Sequence, residues 1–214
     1  MMDTATHKSR IGIYGGTFDP FHMGHLHALR AFDAAIHPDA IWLVPTYLPP
    51  HKTHRPTDDP AQRLAMLRAL CASDTLSGLP CRVEPYEIEK AGKSYTYDTL
   101  RHFARADRIL YFLLGTDMFC TLPQWHRGAE LFALAHMVCI RRGGVEEEQE
   151  KQRIAAAAQE YRTLYDAQIT ILSAAPFALS STQIREKAQR GESLQGLVPP
   201  VIEKMIQRSG YYRG

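Results

Sequence analysis

The sequence predicts a doubly wound α/β fold, a mostly parallel sheet with helices on both faces, followed by a small C-terminal helical piece. Three observations predict it. Short apolar runs alternate with stretches whose apolar residues recur every three to four positions. The 214 residues, 45% hydrophobic and 22% charged, suit one domain with a sizeable core. Segments rich in glycine, proline and histidine fall just after the apolar runs, where open parallel sheets hold their ligands.

The elements follow in order. RIGIY at 10–14 reads as a buried strand, short, apolar and bounded by turn residues. Over 23–36, Leu26, Leu29 and Phe32 keep helical spacing, and AIWLV at 40–44 is a second strand. PTYLPPHKTHRPTDDP at 45–60 is irregular, because its prolines exclude both a helix interior and a central strand. A loop of that length in a compact domain is often functional. Leu64, Leu67 and Leu70 mark a helix over 61–72, CRVEP at 81–85 is a weaker strand, and 95–105 is helical. RILYFLL at 108–114, HMVCI at 136–140 and QITIL at 168–172 complete the strands. Between the last two lies a helix over 146–166, which opens on the mixed-sign solvated face EEEQEKQR and continues alanine-rich. That alanine-rich face suits the sheet or a second subunit, so the oligomeric state stays open. Two short helices, 182–190 and 199–208, are joined by GESLQGLV. There is no internal repeat. The order is Rossmann-like: a core over 1–178 and a C-terminal helical piece over 179–214, together one domain.

The formal net charge of +2 argues against nucleic acid or a membrane as partner, while a small anion needs only a local cluster of positive groups. Cys71, Cys81, Cys120 and Cys139 are scattered with no C-x-x-C pair, as expected of buried, reduced thiols rather than a disulfide framework. The N-terminal MMDTATHKSR has no apolar core for a secretory signal. ILYFLLG at 109–115 is far shorter than the roughly 20 residues of a membrane helix. A cytoplasmic location is expected.

Chemistry concentrates first in GIYGGTFDPFHMGH at 12–25. Gly15 and Gly16 lack a Cβ, which permits a tight turn and a close approach by a ligand. A helix is expected to begin near His22, with its first N–H groups unpaired and its dipole attracting phosphate. His22 and His25, three apart, share one face near that end and could both touch one phosphate group. The same residues also suit a plain turn and a packed imidazole pair, and His27 is read as structural. Zinc between His22/His25 and His51/His54 would need further ligands, which no nearby cysteine or H-E-x-x-H supplies.

The string G-G-T-F-D-P-x-H-x-G-H closely resembles the first signature of the H-x-G-H nucleotidyltransferases, and above all that of the nicotinate-nucleotide adenylyltransferase family of bacterial NAD synthesis. The resemblance covers roughly 10–213. It implies that His22 and His25 are catalytic and contact the phosphates of the adenine nucleotide, beside Gly15, Gly16 and Thr17. VPTYLPPHK at 44–52 is similar to the family's P-P-H-K loop, which implies that His51 and Lys52 add charge over the phosphates. QRLAML at 62–67 implies that Arg63 contacts or orders that loop. KSYTYDTL at 93–100 is similar to the S-Y-T segment, where the backbone at Thr96 helps hold the nicotinate carboxylate. By residue type alone, Ser94 or Thr96 equally suits a helix N-cap.

LLGTDMFCTLPQWH at 113–126 resembles G-x-D-x(7)-W and implies ribose binding by Asp117 and stacking of Trp125 on the pyridine ring. By itself Trp125 also reads as a core residue. His126 stands where relatives can carry an aromatic residue. VCIRRGG at 138–144 implies Arg142 at the nucleotide site, with Arg141 as alternate and Gly143 where relatives often carry proline. LSSTQIR at 179–185 resembles the second signature, I-S-x-T-x-I-R: Ser181 or Thr182 caps a helix whose N–H groups face phosphate, and Arg185 is a fixed cation.

The implied reaction takes ATP, with Mg²⁺, and nicotinate mononucleotide to nicotinate adenine dinucleotide and pyrophosphate, by in-line attack without a covalent enzyme intermediate. Rival readings are another H-x-G-H enzyme, with nicotinamide mononucleotide or phosphopantetheine as acceptor, and a non-catalytic nucleotide-binding module. Phosphopantetheine enzymes share mainly the two phosphate signatures and lack the P-P-H-K, S-Y-T and G-x-D…W set. Both histidines and the arginine are intact, which weighs against the non-catalytic module. Recognition of a carboxylate through backbone N–H leaves acid and amide poorly separated.

Overall fold

The computed structural model describes residues 8–50, 59–141, 147–172 and 179–212. His51, Lys52, His54, Arg142 and Gly143 lie outside the described residues. Six strands, β1 (Ser9–Gly16), β2 (Ala40–Pro45), β3 (Cys81–Val83), β4 (Arg108–Gly115), β5 (His136–Ile140) and β6 (Ile169–Leu172), form one sheet in the order β3-β2-β1-β4-β5-β6. Every neighbouring pair is parallel, with Tyr14 opposite both Leu43 and Leu113 in the centre. The fold is the Rossmann-like α/β arrangement that the sequence predicts, and the weak run at 81–85 supplies edge strand β3.

The helices are α1 (Met23–Ile36), α2 (Pro60–Cys71), α3 (Tyr86–Lys90), α4 (Thr96–Phe103), α5 (Thr116–Phe119), α6 (Gly128–Leu134), α7 (Glu147–Tyr165), α8 (Ser181–Gln189) and α9 (Pro200–Ser209). The sequence reading does not contain α3, α5 and α6. They have 5, 4 and 7 residues, too few to display a helical period.

The strands are apolar on both faces because both faces are covered. Ile41, Leu43, Tyr111, Leu113, Val138 and Ile140 face one apolar cluster with α1 and α2. Trp42, Val44, Leu110, Phe112, Leu114, Met137 and Cys139 face the other, with α4, α6 and α7. The two-residue period of a strand thus sorts one continuous apolar run into two cores. Ile154, Ala158 and Tyr161 of α7 are buried in the second cluster, so the sheet takes that helix's apolar side. Ile184, Ala188, Leu194, Ile202 and Ile206 belong to the first cluster, so α8 and α9 share the core of α1 and α2. Gly12 lets β1 and α1 approach closely: a Cβ there would sit 2.9 Å from Cζ of the buried Phe32. Among the described residues no helix is long and apolar enough to cross a membrane.

Connections leave the adjacent strands β1 and β4 towards opposite edges of the sheet. Their carboxyl ends therefore flank the crevice where such folds bind ligands.

Candidate active site

The first signature starts inside the sheet. Gly15 and Gly16 do not form the expected turn; they are the last residues of β1, opposite Val44 and Pro45. The turn comes at Phe18, whose φ of 50° is a strained value for a bulky side chain. Packing holds it there: Phe18 is buried, edge-on to Tyr14 at 5.4 Å and to His25 at 5.2 Å between ring centroids. A Cβ on Gly16 would press on that ring at 3.1 Å, so the glycine makes room for the turn that follows it.

His22 is the N-cap of α1. Its Nδ1 accepts the Gly24 N–H at 3.1 Å, and Nδ1 of His25 accepts the His22 N–H at 3.1 Å. The result is a capping box built from two histidines instead of a hydroxyl and a carboxylate. Because both Nδ1 atoms accept, hydrogen-bond geometry assigns the proton of each neutral ring to Nε2. The rings lie 3.8 Å apart, tilted by 35°. This corrects the expectation of unpaired N–H groups at the helix start. Met23 N–H goes to Leu197 O at 2.9 Å, Gly24 N–H to the His22 ring, and His25 N–H to His22 O at 2.9 Å. What this helix end offers an anion is the pair of imidazole N–H groups and the dipole behind them.

The second signature packs against the first. Ser180, not Ser181 or Thr182, caps α8: its Oγ accepts the Gln183 N–H at 3.3 Å, and Gln183 Oε1 accepts the Ser180 N–H at 2.9 Å. Ser181 Oγ instead donates to Pro20 O at 3.1 Å, and Thr182 Oγ1 accepts from Arg185 at 3.2 Å. Arg185 donates through Nη1 to Asp19 O at 2.7 Å, with Asp19 Oδ2 at 3.8 Å.

A chain of contacts runs from here to the remaining segments. Thr46 N–H donates to Gly16 O at 2.9 Å, and the wholly buried Arg63 donates to Thr17 O at 2.7 Å and to Tyr47 O at 3.4 Å. Tyr47 N–H donates to Ser94 Oγ at 3.0 Å. Ser94 is thus spent on the loop after β2 and Thr96 is the first residue of α4; neither caps that helix, whose N-cap is Tyr95. Behind them Thr99 donates to buried Glu87 at 2.6 Å. Burial pushes the Glu87 carboxyl above the ordinary carboxylate range, opposed by its hydrogen bond from Thr99.

The Tyr95 ring lies 4.4 Å from that of His126, and the Arg127 guanidinium lies 3.8 Å over Tyr97, so the S-Y-T and tryptophan segments meet. Asp117 is exposed in α5, just past β4, 4.0 Å from Arg153. Beside it Thr116 donates to Glu150 of α7 at 2.5 Å. Trp125 is half-buried against the second cluster, its indole N–H on Thr121 Oγ1 at 3.2 Å. Arg141 follows β5 directly. Among the described residues no group of three or more His, Cys, Asp and Glu is placed to hold a metal ion. Asp19 lies inside the first signature without an assigned role, and Tyr212 enters the site unannounced, because no local pattern marks the distant partner of a carboxylate.

Comparison with known proteins converges on one family. The cytidylyltransferase-like family model matches residues 13–187. A probable nicotinate-nucleotide adenylyltransferase of Geobacillus kaustophilus is 36% identical over 206 residues, covering 95% of this chain and 86% of the relative. One of Pseudomonas aeruginosa is 37% identical over 217 residues, covering 95% and 97%. The chain belongs to the nicotinate-nucleotide adenylyltransferase family. Its fold is also that of a Plasmodium falciparum nicotinic acid mononucleotide adenylyltransferase solved with NaAD, with a TM-score of 0.73 at 19% identity over 95% of this chain and 97% of that one. The same enzyme solved with APC superposes with a TM-score of 0.72.

For a member of the nicotinate-nucleotide adenylyltransferase family, the contacts divide into two groups. Imidazole and guanidinium donors gather where β1, α1 and α8 meet, and aromatic rings gather between the start of α4 and the turn before α6. The first group suits phosphate oxygens and the second a flat ring.

Proposed function

We propose that the protein transfers the adenylyl group of ATP to nicotinate mononucleotide, giving nicotinate adenine dinucleotide and pyrophosphate. The observation that carries this reading is the joining of both phosphate signatures at the β1/β4 crevice, Arg185 on Asp19 and Ser181 on Pro20, in a chain 36% identical to a named relative over 206 residues.

A phosphate oxygen of the mononucleotide attacks the α-phosphorus of ATP in line. The new O–P bond forms as the bond from the α-phosphorus to the bridging oxygen breaks, and pyrophosphate leaves with that electron pair. The attacking oxygen is already anionic near neutral pH, so no general base is needed. The protein's work is positioning and charge stabilisation. His22 and His25 donate from Nε2 to the α- and β-phosphates as charge builds. Gly15, Gly16 and Thr17 line the approach, and Ser181, Thr182 and Arg185 hold the leaving phosphates, with His51, Lys52 and Arg142 assigned the same task. Thr96 holds the nicotinate carboxylate through its backbone, Asp117 binds ribose hydroxyls, and Trp125 stacks on the pyridine.

The donors gathered at the phosphates are nitrogens suited to oxyanions, so Mg²⁺ would be held by oxygens of the nucleotide substrate and, when bound, would supply neutralising charge to the leaving pyrophosphate. We place the whole chain in one domain and in the cytoplasm, where ATP is supplied.

The test is pyrophosphate release from ATP and Mg²⁺ with nicotinate mononucleotide against nicotinamide mononucleotide. Strong preference for the acid is expected. Preference for the amide would overturn the assignments of Thr96 and Trp125, and release with neither would overturn the acceptor.

A further inference from the structure

Tyr212 follows α9, far in sequence from either signature, yet its hydroxyl donates to Asp19 Oδ1 at 3.1 Å. Its ring is buried in the first apolar cluster, among side chains of α1, α2, α8 and α9. Asp19 is itself only 4% exposed. A carboxylate so far from water depends on the donors around it. Asp19 stands between the signatures: Nη1 of Arg185 lies 3.8 Å from its Oδ2 and donates to its backbone oxygen at 2.7 Å. The next residue, Pro20, accepts from Ser181, and two residues further His22 starts α1. The tail, the phosphate turn and the arginine therefore share one buried carboxylate.

We propose that Tyr212 is a positioning residue for adenylyl transfer, holding Asp19 so that Arg185 and the His22 cap stay in register for the phosphates of ATP. The proposal rests on the adenylyl-transfer reading above. Without the hydroxyl, Oδ1 loses a donor in a buried place, and the carboxylate is drawn more strongly to the positive charge of Arg185, 3.8 Å from its Oδ2. The guanidinium is then drawn towards Asp19 and away from the phosphates. The segments assigned to the pyridine ring are not part of this contact, so the effect falls on ATP.

Tyr212→Phe keeps the ring and its packing. It is expected to raise KM for ATP and lower kcat, each by about tenfold, the scale of one lost hydrogen bond to a charged group. KM for nicotinate mononucleotide should stay within about twofold, and Tyr211→Phe should change none of the three. Asp19→Asn should show the same selectivity, and the double variant should be no worse than Asp19→Asn alone, because both act through one contact. Calorimetric titration with ATP alone separates the two readings. A wild type that binds ATP but does not turn over with the mononucleotide overturns the acceptor, while weaker ATP binding by Tyr212→Phe still supports the latch. The latch is overturned if Tyr212→Phe lowers only thermal stability and leaves ATP binding and kcat unchanged, or if its effect adds fully to that of Asp19→Asn. Should Tyr212→Phe fail to fold, an unchanged KM for ATP in Asp19→Asn overturns it equally.

Discussion

His25 uses its Nδ1 to cap α1 and so keeps its neutral-form proton on Nε2, where a phosphate can take the hydrogen bond. His25→Ala removes both. Loss of one preorganised donor costs about 10²–10³ in rate, so kcat should fall by that factor with little change in KM for the mononucleotide. Loss of the cap should also lower stability by about 1 kcal/mol in urea titration. An unchanged kcat would remove His25 from the chemistry. Glu87 gives a prediction of another kind. Burial raises its pKa in the folded chain above the unfolded value. A group shifted upwards contributes its full stability below the unfolded pKa, near about 4.3, and loses it as pH rises through the folded pKa. Glu87→Gln keeps an acceptor for Thr99 and removes the titration. Its Tm relative to wild type should therefore climb as pH rises above the unfolded pKa, near about 4.3; a constant difference would contradict the shift.

At the scale of elements, β1 and α1 pack through Gly12, where a Cβ would meet the buried Phe32 ring. That ring lies among core neighbours and has little room to yield. Gly12→Ala should cost about 1–3 kcal/mol, the usual range for overpacking, seen as a lower urea midpoint at unchanged m. This constraint was not legible in the sequence. Gly15 and Gly16 draw the eye as a pair, yet the glycine before them is packed more tightly than either, and its neighbour Phe32 is 20 positions away. The short helices α3, α5 and α6 escaped for a related reason. A helix of one or two turns is held by its neighbours rather than by its own periodicity.

For the whole molecule, the shared cluster of α1, α2, α8 and α9 makes the C-terminal piece part of the main core. Unfolding followed by far-UV circular dichroism and by tryptophan fluorescence should then give coincident transitions. Trp42 and Trp125 both report on the opposite face of the sheet. A separate early transition in the circular dichroism would mean that α8 and α9 melt on their own. The arrangement also bears on the site, because Arg185 is carried by α8 and Tyr212 follows α9, while the turn they grip belongs to β1 and α1.

The sequence by itself determined the strands, the long helices, the parallel order and the two phosphate signatures. Apolar period and turn chemistry are local properties, and H-x-G-H and S-S-T-x-x-R are local strings. Only the tertiary structure decided which glycine is packed, which serine caps α8, and that the first N–H groups of α1 are already bonded. It alone brought Tyr212 to Asp19, and Arg63 to the carbonyl of Thr17. The physical reason is common to all of these. A buried polar group must be satisfied by whatever the fold brings near, and that partner can lie anywhere along the chain.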